Sequence, residues 1–173
     1  MESKILVENK LLLLTPLDES MYFDIWQNSL DEDNRKYVPD EVFETLEDAT
    51  EAVNYLINYY GDDNGPYVYA VIRKQDKANL GYVQLVKIDE GFEIGYHIAK
   101  RYTNKGYATE ALKLFLEYLK TTTNLKEVYG IALMDNKASR RVLEKCGFIV
   151  FYKGKGIYQG RLKKIIKSKI ELK

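Results

Sequence analysis

Residues Thr103-Asn104-Lys105-Gly106-Tyr107-Ala108-Thr109 join a strand-like run at 92–99 to an amphipathic helix. A tight turn that leads into a helix presents several unpaired backbone N–H groups and the positive end of the helix dipole. Gly106 lets the backbone come close to a ligand, and Lys105 adds positive charge. The stretch therefore predicts a site for a phosphate or diphosphate; a helix start that binds nothing is the alternative. Its spacing fits neither the P-loop nor the dinucleotide fingerprint.

A second segment, at 136–148, follows the next strand-like run, at 128–133. Asn136 stands where a helix N-cap belongs, and Gly147 stands where the residue after a helix C-cap belongs. The order of parts is therefore strand, anion-type turn, long helix, strand, and a short helix that begins with Asn and ends with Gly-Phe.

With these two segments the chain resembles the GCN5-related N-acetyltransferase (GNAT) superfamily, and most of all the branch that acetylates the N-terminal amines of ribosomal proteins. The acetyl-CoA turn of the superfamily, Gln/Arg-x-x-Gly-x-Gly/Ala, is matched at Gly106 and Ala108, with Thr103 in its first position. The second motif, Asn-x-x-Ser-x-x-Val-Leu followed by Gly-Phe, is matched by Asn136, Ser139, Val142, Leu143, Gly147 and Phe148. The resemblance runs from about Leu11 to the end of the chain.

This resemblance implies an acyltransferase that moves an acetyl group from acetyl-CoA to a primary amine by direct attack. The acceptor would be a protein N-terminal α-amine or a small amine such as a polyamine, and no metal is expected. Coenzyme binding is assigned to Ile98, Ala99, Arg101, Thr103, Asn104, Lys105, Gly106, Tyr107, Ala108, Thr109, Asn136, Ser139 and Arg140. Backbone N–H groups near Ile98 and Ala99 would polarise the thioester carbonyl, and Asn136 would bind the pantetheine arm.

The predicted catalytic residues are Glu93, Asn136 and Ser139. A peptide α-amine, with a pKa of about 8, is roughly a tenth neutral at pH 7, so a weak base is sufficient for it. Glu93 lies on the strand beside the expected cleft and is the candidate base, whereas His97 on the same strand face is its rival.

The leaving thiol needs a proton donor. Many members of the superfamily place a tyrosine seven residues after the cleft asparagine, where this chain has Leu143. The branch suggests Ser139 as the donor instead, and Tyr152 and Tyr158 are alternatives. Cys146, just before the Gly-Phe pair, is interpreted as a small core residue rather than a nucleophile.

For the fold, the sequence predicts a single α/β domain of the α+β type over residues 1–173. Six to seven strands would form a mixed, mostly antiparallel sheet flanked by about four helices, with one parallel pair where the turn helix crosses between strands. The resemblance implies that these two central strands splay into a V-shaped cleft. We also expect a first helix from Thr15-Pro16, a loop over 31–44 and a last hairpin turn at 154–156.

Composition narrows the protein class. Hydrophobic residues make up 46 % and charged residues 30 %, with one cysteine, one histidine and no apolar run of about 20 residues. These values predict a soluble domain without an intrachain disulfide or a metal cluster. The first residues lack a signal-peptide pattern, so we expect a cytoplasmic protein, either a monomer or a homodimer.

The net charge of zero conceals an asymmetry. Residues 1–66 hold 16 acidic and 4 basic side chains, whereas residues 151–173 hold 1 acidic and 8 basic ones. The acidic part suits a cationic amine, with the carboxylates at 31–44 in the acceptor wall, and the basic part suits the phosphates of CoA. Two alternatives are a domain that binds CoA without catalysis and a protein that binds nucleic acid through the basic tail. A lysine-rich last strand in solvent explains that tail better, so we expect neither a nucleic-acid nor a membrane partner.

Overall fold

Apolar residues recur along most of the segments at strand or helix spacing, so that these elements have one face for the interior. The computed structural model describes residues 4–173, in which eight strands and five α-helices are formed. The strands are β1 (Val7–Glu8), β2 (Leu12–Pro16), β3 (Tyr67–Arg73), β4 (Asn79–Ile88), β5 (Gly91–Ile98), β6 (Glu127–Leu133), β7 (Ile149–Tyr158) and β8 (Arg161–Glu171). The helices are α1 (Tyr22–Ser29), α2 (Glu32–Tyr37), α3 (Leu46–Ile57), α4 (Tyr107–Thr122) and α5 (Lys137–Lys145), and short 3-10 turns lie at Glu19–Met21, Pro39–Glu41 and Lys100–Tyr102.

All eight strands form one sheet, in the order β1-β2-β3-β4-β5-β6-β8-β7. Every neighbouring pair is antiparallel except β5 and β6, which are parallel because α4 carries the chain from the end of β5 back to the start of β6. The mixed, mostly antiparallel sheet predicted from the sequence is confirmed. The strand and helix counts are slightly higher than expected, because the two-residue β1 and the short α2 were not anticipated.

One face of the sheet is covered by α4 and α5. Leu112, Phe115 and Leu119 of α4 are at most 2 % exposed and follow the helical spacing of three and four residues. They belong to the same apolar cluster as Val83 of β4 and Val128 of β6. Because each such side chain contributes about 1.5–3 kcal/mol when buried, this layer fixes the position of α4 and of the turn before it.

The opposite face is covered by α1 and α3 only over the first part of the sheet. Met21, Val53, Val68 and Ala70 form a second, smaller apolar cluster there. The face of β5 and β6 is left to the α2 segment and to the hairpin of β7 and β8, and this is where the polar residues of the candidate site collect.

The first helix does not begin at Thr15-Pro16. Pro16 ends β2, and Asp18 caps the 3-10 turn that precedes α1 by accepting the N–H of Ser20 at 2.9 Å. An aspartate side chain can satisfy a free N–H group at a helix start, whereas proline cannot, so the cap determines the boundary.

The segment 31–44, expected as a loop, contains α2 and the 3-10 turn Pro39–Glu41. Its anchor is Asn34, a buried side chain that donates to the carbonyl of Ser29 at 3.2 Å. The loop expectation was therefore wrong, because this tertiary hydrogen bond stabilises a helix that the polar sequence alone does not indicate.

The last hairpin turn lies at Gln159 and Gly160, not at 154–156. Both residues have positive φ, 47° and 71°, as the tightest hairpin turns require. Gly156 instead lies inside β7, where a Cβ would stand 2.4 Å from the Cδ1 of Ile165. The glycine here permits close packing against β8 and does not reverse the chain.

Candidate active site

An opening in the sheet lies between the central strands β5 and β6. They pair at a single position, Glu93 with Tyr129, although both strands continue beyond it. β5 stays paired with β4 as far as Ile98, and β6 stays paired with β8 as far as Leu133. The two strands therefore diverge toward their carboxyl ends and leave a V-shaped cleft, as the sequence resemblance implied.

The turn before α4 lies just after β5 and is open on its outer side. Gly106 is the N-cap residue, with φ of 82°, and Asn104 also has a left-handed φ of 61°. No side chain within residues 4–173 caps this helix end, and a Cβ placed on Gly106 would meet no other residue within 4 Å. The first N–H groups of a 16-residue helix thus face open space at its positive end, an arrangement that binds phosphates.

The side chains of this turn differ in what they can offer a ligand. Thr103 closes the turn, because its hydroxyl donates to the carbonyl of Lys100 at 2.8 Å. Lys105 and Arg101 are exposed, so their charges are free to approach an anion bound at the helix end. The turn therefore combines backbone donors with two exposed cations, of which Arg101 lies 4.8 Å from the centroid of the Tyr102 ring.

The first turn of α4 is held from the sheet side by Arg73, at the end of β3. Its guanidinium donates to the hydroxyl of Tyr107 at 3.3 Å and pairs with Asp76 at 2.6 Å. Ala108 and Thr109 lie half-buried in the same helical turn. The helix start is thereby fixed from behind, which keeps its backbone amides in place for a ligand.

The start of α5 forms the other border of the cleft. Asn136 Oδ1 accepts the N–H of Ser139 at 3.2 Å, while its side-chain NH₂ meets no protein acceptor within the described chain. The hydroxyl of Tyr96 on β5 lies 2.9 Å from Ser139 Oγ and donates to the Ser139 carbonyl at 2.8 Å. Burial raises the pKa of Tyr96 above its usual range. Arg140 turns back and donates to the carbonyl of Met134 at 2.9 Å, which closes the loop before the helix.

The opposite face of the cleft carries Glu93. It points away from α4, because it alternates along β5 with Ile94, which packs in the apolar cluster of that helix. Burial, reinforced by the nearby Glu41 carboxyl, raises the pKa of Glu93 to about 7. A carboxyl with that pKa is suited to accept a proton at neutral pH, which is the property expected of a general base.

His97, the rival base, shares this face but is engaged elsewhere. Its buried Nε2 lies 3.5 Å from Asp31 Oδ2, a distance at the limit of a hydrogen bond. The same Asp31 oxygen accepts the N–H of Lys100 at 2.7 Å. These contacts join the segment before α2 to the end of β5, and they favour a structural role for the histidine.

Two residues beside Glu93, Tyr82 and Gln84, were missed by the sequence analysis, and both contact Glu41, one of the carboxylates at 31–44 expected in the acceptor wall. Glu41 accepts hydrogen bonds from the hydroxyl of Tyr82 and from Gln84 Nε2, the latter at 3.3 Å. Tyr82 and Gln84 alternate on β4 with the buried Val83, a signal that could have marked a polar strand face. The acidic composition of 31–44 pointed to this segment as a whole, and the fold brings Glu41 from it close enough to act on Glu93.

The turn between β7 and β8 closes a further side of this face. Gln159 Oε1 accepts the N–H of Asp40 at 3.3 Å, across 119 residues of sequence. Tyr158 is close enough to Glu93 and Glu41 for both carboxyls to add to burial in raising its pKa. Tyr158 therefore belongs to the face of Glu93, whereas Ser139 and Tyr96 lie on the side of α5.

The N–H of Ala99 does not fit its expected role. It donates to the carbonyl of Leu80 at 2.8 Å and so is already occupied in the sheet. The side chains of Ile98 and Ala99 are buried as well, at 6 % and 0 % exposure. The prediction that the Ala99 amide polarises the thioester is therefore wrong, because this N–H group already donates to β4 in the sheet.

Two further positions are part of the core. Leu143, at the usual tyrosine position, packs so closely on β6 that a Cβ on Gly130 would stand 2.6 Å from its Cδ2. Cys146 is buried, burial raises the pKa of its thiol to about 11, and its Sγ lies 3.7 Å from the carbonyl oxygen of Thr109. Tyr152, an alternative proton donor, donates instead to the carbonyl of Lys155 within β7 at 2.5 Å.

Within residues 4–173, no three His, Cys, Asp or Glu side chains converge in a way that could hold a metal ion. In the same part of the chain, none of the helices combines the length and the apolar character needed to cross a bilayer.

Comparison with known proteins agrees with this architecture. The family model described as "Acetyltransferase (GNAT) domain" matches residues 11–149. The chain is 29 % identical over 143 residues to YnaD, an uncharacterized N-acetyltransferase of Bacillus subtilis (strain 168), with 82 % of this chain and 81 % of that protein covered. A GNAT-family acetyltransferase from Bacillus anthracis superposes with a TM-score of 0.83 at 26 % identity, with 96 % of this chain and 98 % of that one covered.

Two other similar structures contain coenzyme A. RimL, a ribosomal L7/L12 α-N-protein acetyltransferase in complex with CoA, has a TM-score of 0.82 at 17 % identity and covers 97 % of this chain and 98 % of its own. Spermidine N-acetyltransferase from Vibrio cholerae, in complex with CoA and spermine, has a TM-score of 0.77 at 24 % identity, with coverage of 95 % and 97 %. At these identities the likeness concerns the fold.

Proposed function

The chain belongs to the GNAT acetyltransferase family, and on that premise we propose that it transfers the acetyl group of acetyl-CoA to a primary amine by direct attack. The acceptor is a protein N-terminal α-amine or a small amine such as a polyamine. One observation carries the proposal: β5 and β6 pair at a single position. This leaves a passage between an open helix end on one side and the Glu93 carboxyl on the other.

On the coenzyme side, the backbone N–H groups around Gly106 bind the diphosphate, and Lys105 and Arg101 add charge. The pantetheine arm then runs along β5 into the cleft, where the free side-chain NH₂ of Asn136 donates to one of its carbonyls. Holding the thioester beside the amine in this way supplies a large effective molarity, so that no covalent enzyme intermediate is required.

On the acceptor side, Glu93 accepts a proton from the ammonium form of the substrate. The neutral amine nitrogen attacks the thioester carbonyl carbon, a C–N bond forms, and the C–S bond breaks. The nitrogen then gives up its surplus proton, and the Ser139 hydroxyl, which is hydrogen-bonded to Tyr96, donates its own proton to the CoA thiolate and takes up the one from the nitrogen, so that a neutral amide and a free thiol form and Ser139 ends unchanged. Since a thiol has a pKa of about 8.5, this last step needs only modest assistance.

The similar structures support two acceptor classes. RimL is named for a protein α-amine and the Vibrio cholerae enzyme for spermidine. Similarity of fold does not choose between them, because related folds serve many substrates. The carboxyls on the acceptor face of this chain favour a cationic amine in either case.

The test is thiol release from acetyl-CoA in the presence of a panel of amines and peptides, for the wild type and for Glu93→Gln. We expect amine-dependent thiol release by the wild type and its near loss in the variant. Tight CoA binding by calorimetry without thiol release for any amine would contradict catalysis and favour a domain that only binds CoA.

A further inference from the structure

The Glu41 carboxyl is unusual because no basic side chain pairs with it. Within residues 4–173 its hydrogen-bond donors are the hydroxyl of Tyr82 and the amide of Gln84, both neutral, and none of the ion pairs includes it. Burial raises the pKa of Glu41, and the hydrogen bond from Gln84 and the nearby His97 oppose this only in part. An ionised carboxylate enclosed in this way is costly unless a cation reaches it.

Glu41 lies beside Glu93 on the acceptor face. Gln84, which donates to Glu41, pairs with Gly95 on β5, and Glu93 is two residues further along that strand and on the same face. Two residues of a strand span about 7 Å, so the two carboxyls are close enough to interact. Lys167, whose charge lowers the pKa of Glu93 in part, is already paired with Glu90 at 2.9 Å.

The proposed reaction changes the protonation state of Glu93 but not that of Glu41. When Glu93 accepts the proton of the attacking ammonium it becomes neutral, and the amine becomes neutral with it. Glu41 then remains without a countercharge, because a substrate with a single cationic group no longer carries a positive charge that could pair with it. A second ammonium on the same substrate would neutralise Glu41 throughout the reaction.

We propose, on the basis of the function proposed above, that Glu41 is a specificity-determining residue that selects acceptor amines carrying a second cationic group, that is, diamines or polyamines. The reacting nitrogen lies at Glu93, and the second nitrogen binds Glu41 between Tyr82 and Tyr158. A peptide N-terminus with no further cation near it is a poorer substrate.

The experiment compares a series of α,ω-diaminoalkanes with n-alkylamines of the same chain length, by thiol release at saturating acetyl-CoA. We expect kcat/KM of the wild type to be about 10- to 100-fold higher for the best diamine than for its matched monoamine, the range expected for one charge-assisted hydrogen bond. In Glu41→Gln this ratio should fall to within about threefold, through a higher KM for the diamine rather than a lower kcat.

Glu47→Gln is the matched control, because Glu47 is exposed in the first turn of α3 and should leave the ratio unchanged. Thermal melting and CoA binding show whether Glu41→Gln is folded, and a Glu41→Asp variant that keeps part of the preference gives a second readout. Robust turnover of monoamines and diamines at equal kcat/KM, or an unchanged ratio in Glu41→Gln, would overturn this inference and leave the acetyltransferase function intact. Absence of thiol release with every amine would overturn both.

Discussion

The two sides of the cleft are built in different ways. The coenzyme side consists of backbone amides at one helix start and a capped helix nearby, each encoded by a short contiguous motif around Gly106 and Asn136. The acceptor side is assembled from side chains of four separate segments, at 41, 82–84, 93–97 and 158–159. The first can be recognised as a motif in the sequence, whereas the sequence suggests single members of the second and only folding brings them together.

The two sides also differ in charge. An uncapped helix N-terminus with Lys105 beside it attracts anions. The opposite face holds two carboxyls whose pKa values are raised by burial, Glu41 and Glu93. Under the proposed function, phosphates and amines would bind on opposite faces of the sheet and would meet where β5 and β6 diverge.

The largest effect should come from the acceptor side. In Glu93→Gln we expect kcat/KM to fall by about 10²- to 10⁴-fold, the usual contribution of a general base. The wild type should show kcat/KM rising with pH through about 7, because the carboxyl must be ionised to accept a proton. In the variant, kcat/KM should no longer rise with pH through about 7, while the KM for acetyl-CoA stays unchanged. If kcat/KM of the variant still rises with pH in this range, another group is the base, and His97 is the first to examine.

Glu93 should also lower the free energy of unfolding near and above neutral pH, an effect that no residue of the coenzyme side is expected to have. The pKa of Glu93 is raised from 4.5 to about 7 in the folded protein, so the folded state holds this proton more tightly than the unfolded chain. The resulting stabilisation is complete below pH 4.5 and is lost as the pH rises through about 7. Since Gln does not ionise, Glu93→Gln should be more stable than the wild type by about 2–3 kcal/mol at pH 8, and this difference should shrink toward pH 5. Urea unfolding at both pH values measures it, and a difference independent of pH would contradict the burial of this carboxyl.

A smaller effect is expected from the backbone of the coenzyme side. In Gly106→Val the left-handed φ of 82° becomes strained, by about 1–2 kcal/mol, and a side chain enters the open space before the helix. The KM for acetyl-CoA should rise about tenfold with little change in the KM for the amine. Gly106→Asn is the control, because asparagine tolerates this conformation, and it should keep the stability of the wild type. An unchanged KM in the valine variant would mean that the diphosphate binds elsewhere.

The success of the sequence-based predictions also differs between the coenzyme side and the acceptor side. The starts of α4 and α5 at Gly106 and Asn136 agree with the structure, because a turn glycine and a cap are local signals. The hairpin turn was misplaced from Gln159 to the glycines at 154–156, because a glycine pattern does not tell close packing from chain reversal. Glu41 was expected only as one of several carboxylates in the acceptor wall. Its contacts with Tyr82 and Gln84 could not be predicted, since they depend on a 3-10 turn that meets β4 only in the folded chain.

The smallest effect should come from the exposed charge at the turn. Lys105→Gln should raise the KM for acetyl-CoA about two- to fivefold at low salt, the contribution expected of one solvated charge near a helix end. At about 0.5 M salt the difference from the wild type should nearly vanish, because screening shortens the reach of exposed charges. A salt-independent difference would indicate a direct, buried contact of this lysine with the coenzyme.

The most direct test is a crystal structure of the protein with bound CoA. We predict diphosphate oxygens within about 3 Å of the backbone nitrogens around Gly106, and a coenzyme sulfur in the opening between β5 and β6 on the way to Glu93. CoA bound at another surface, or β5 and β6 paired along their whole length in the complex, would contradict the proposed binding of the coenzyme in this cleft.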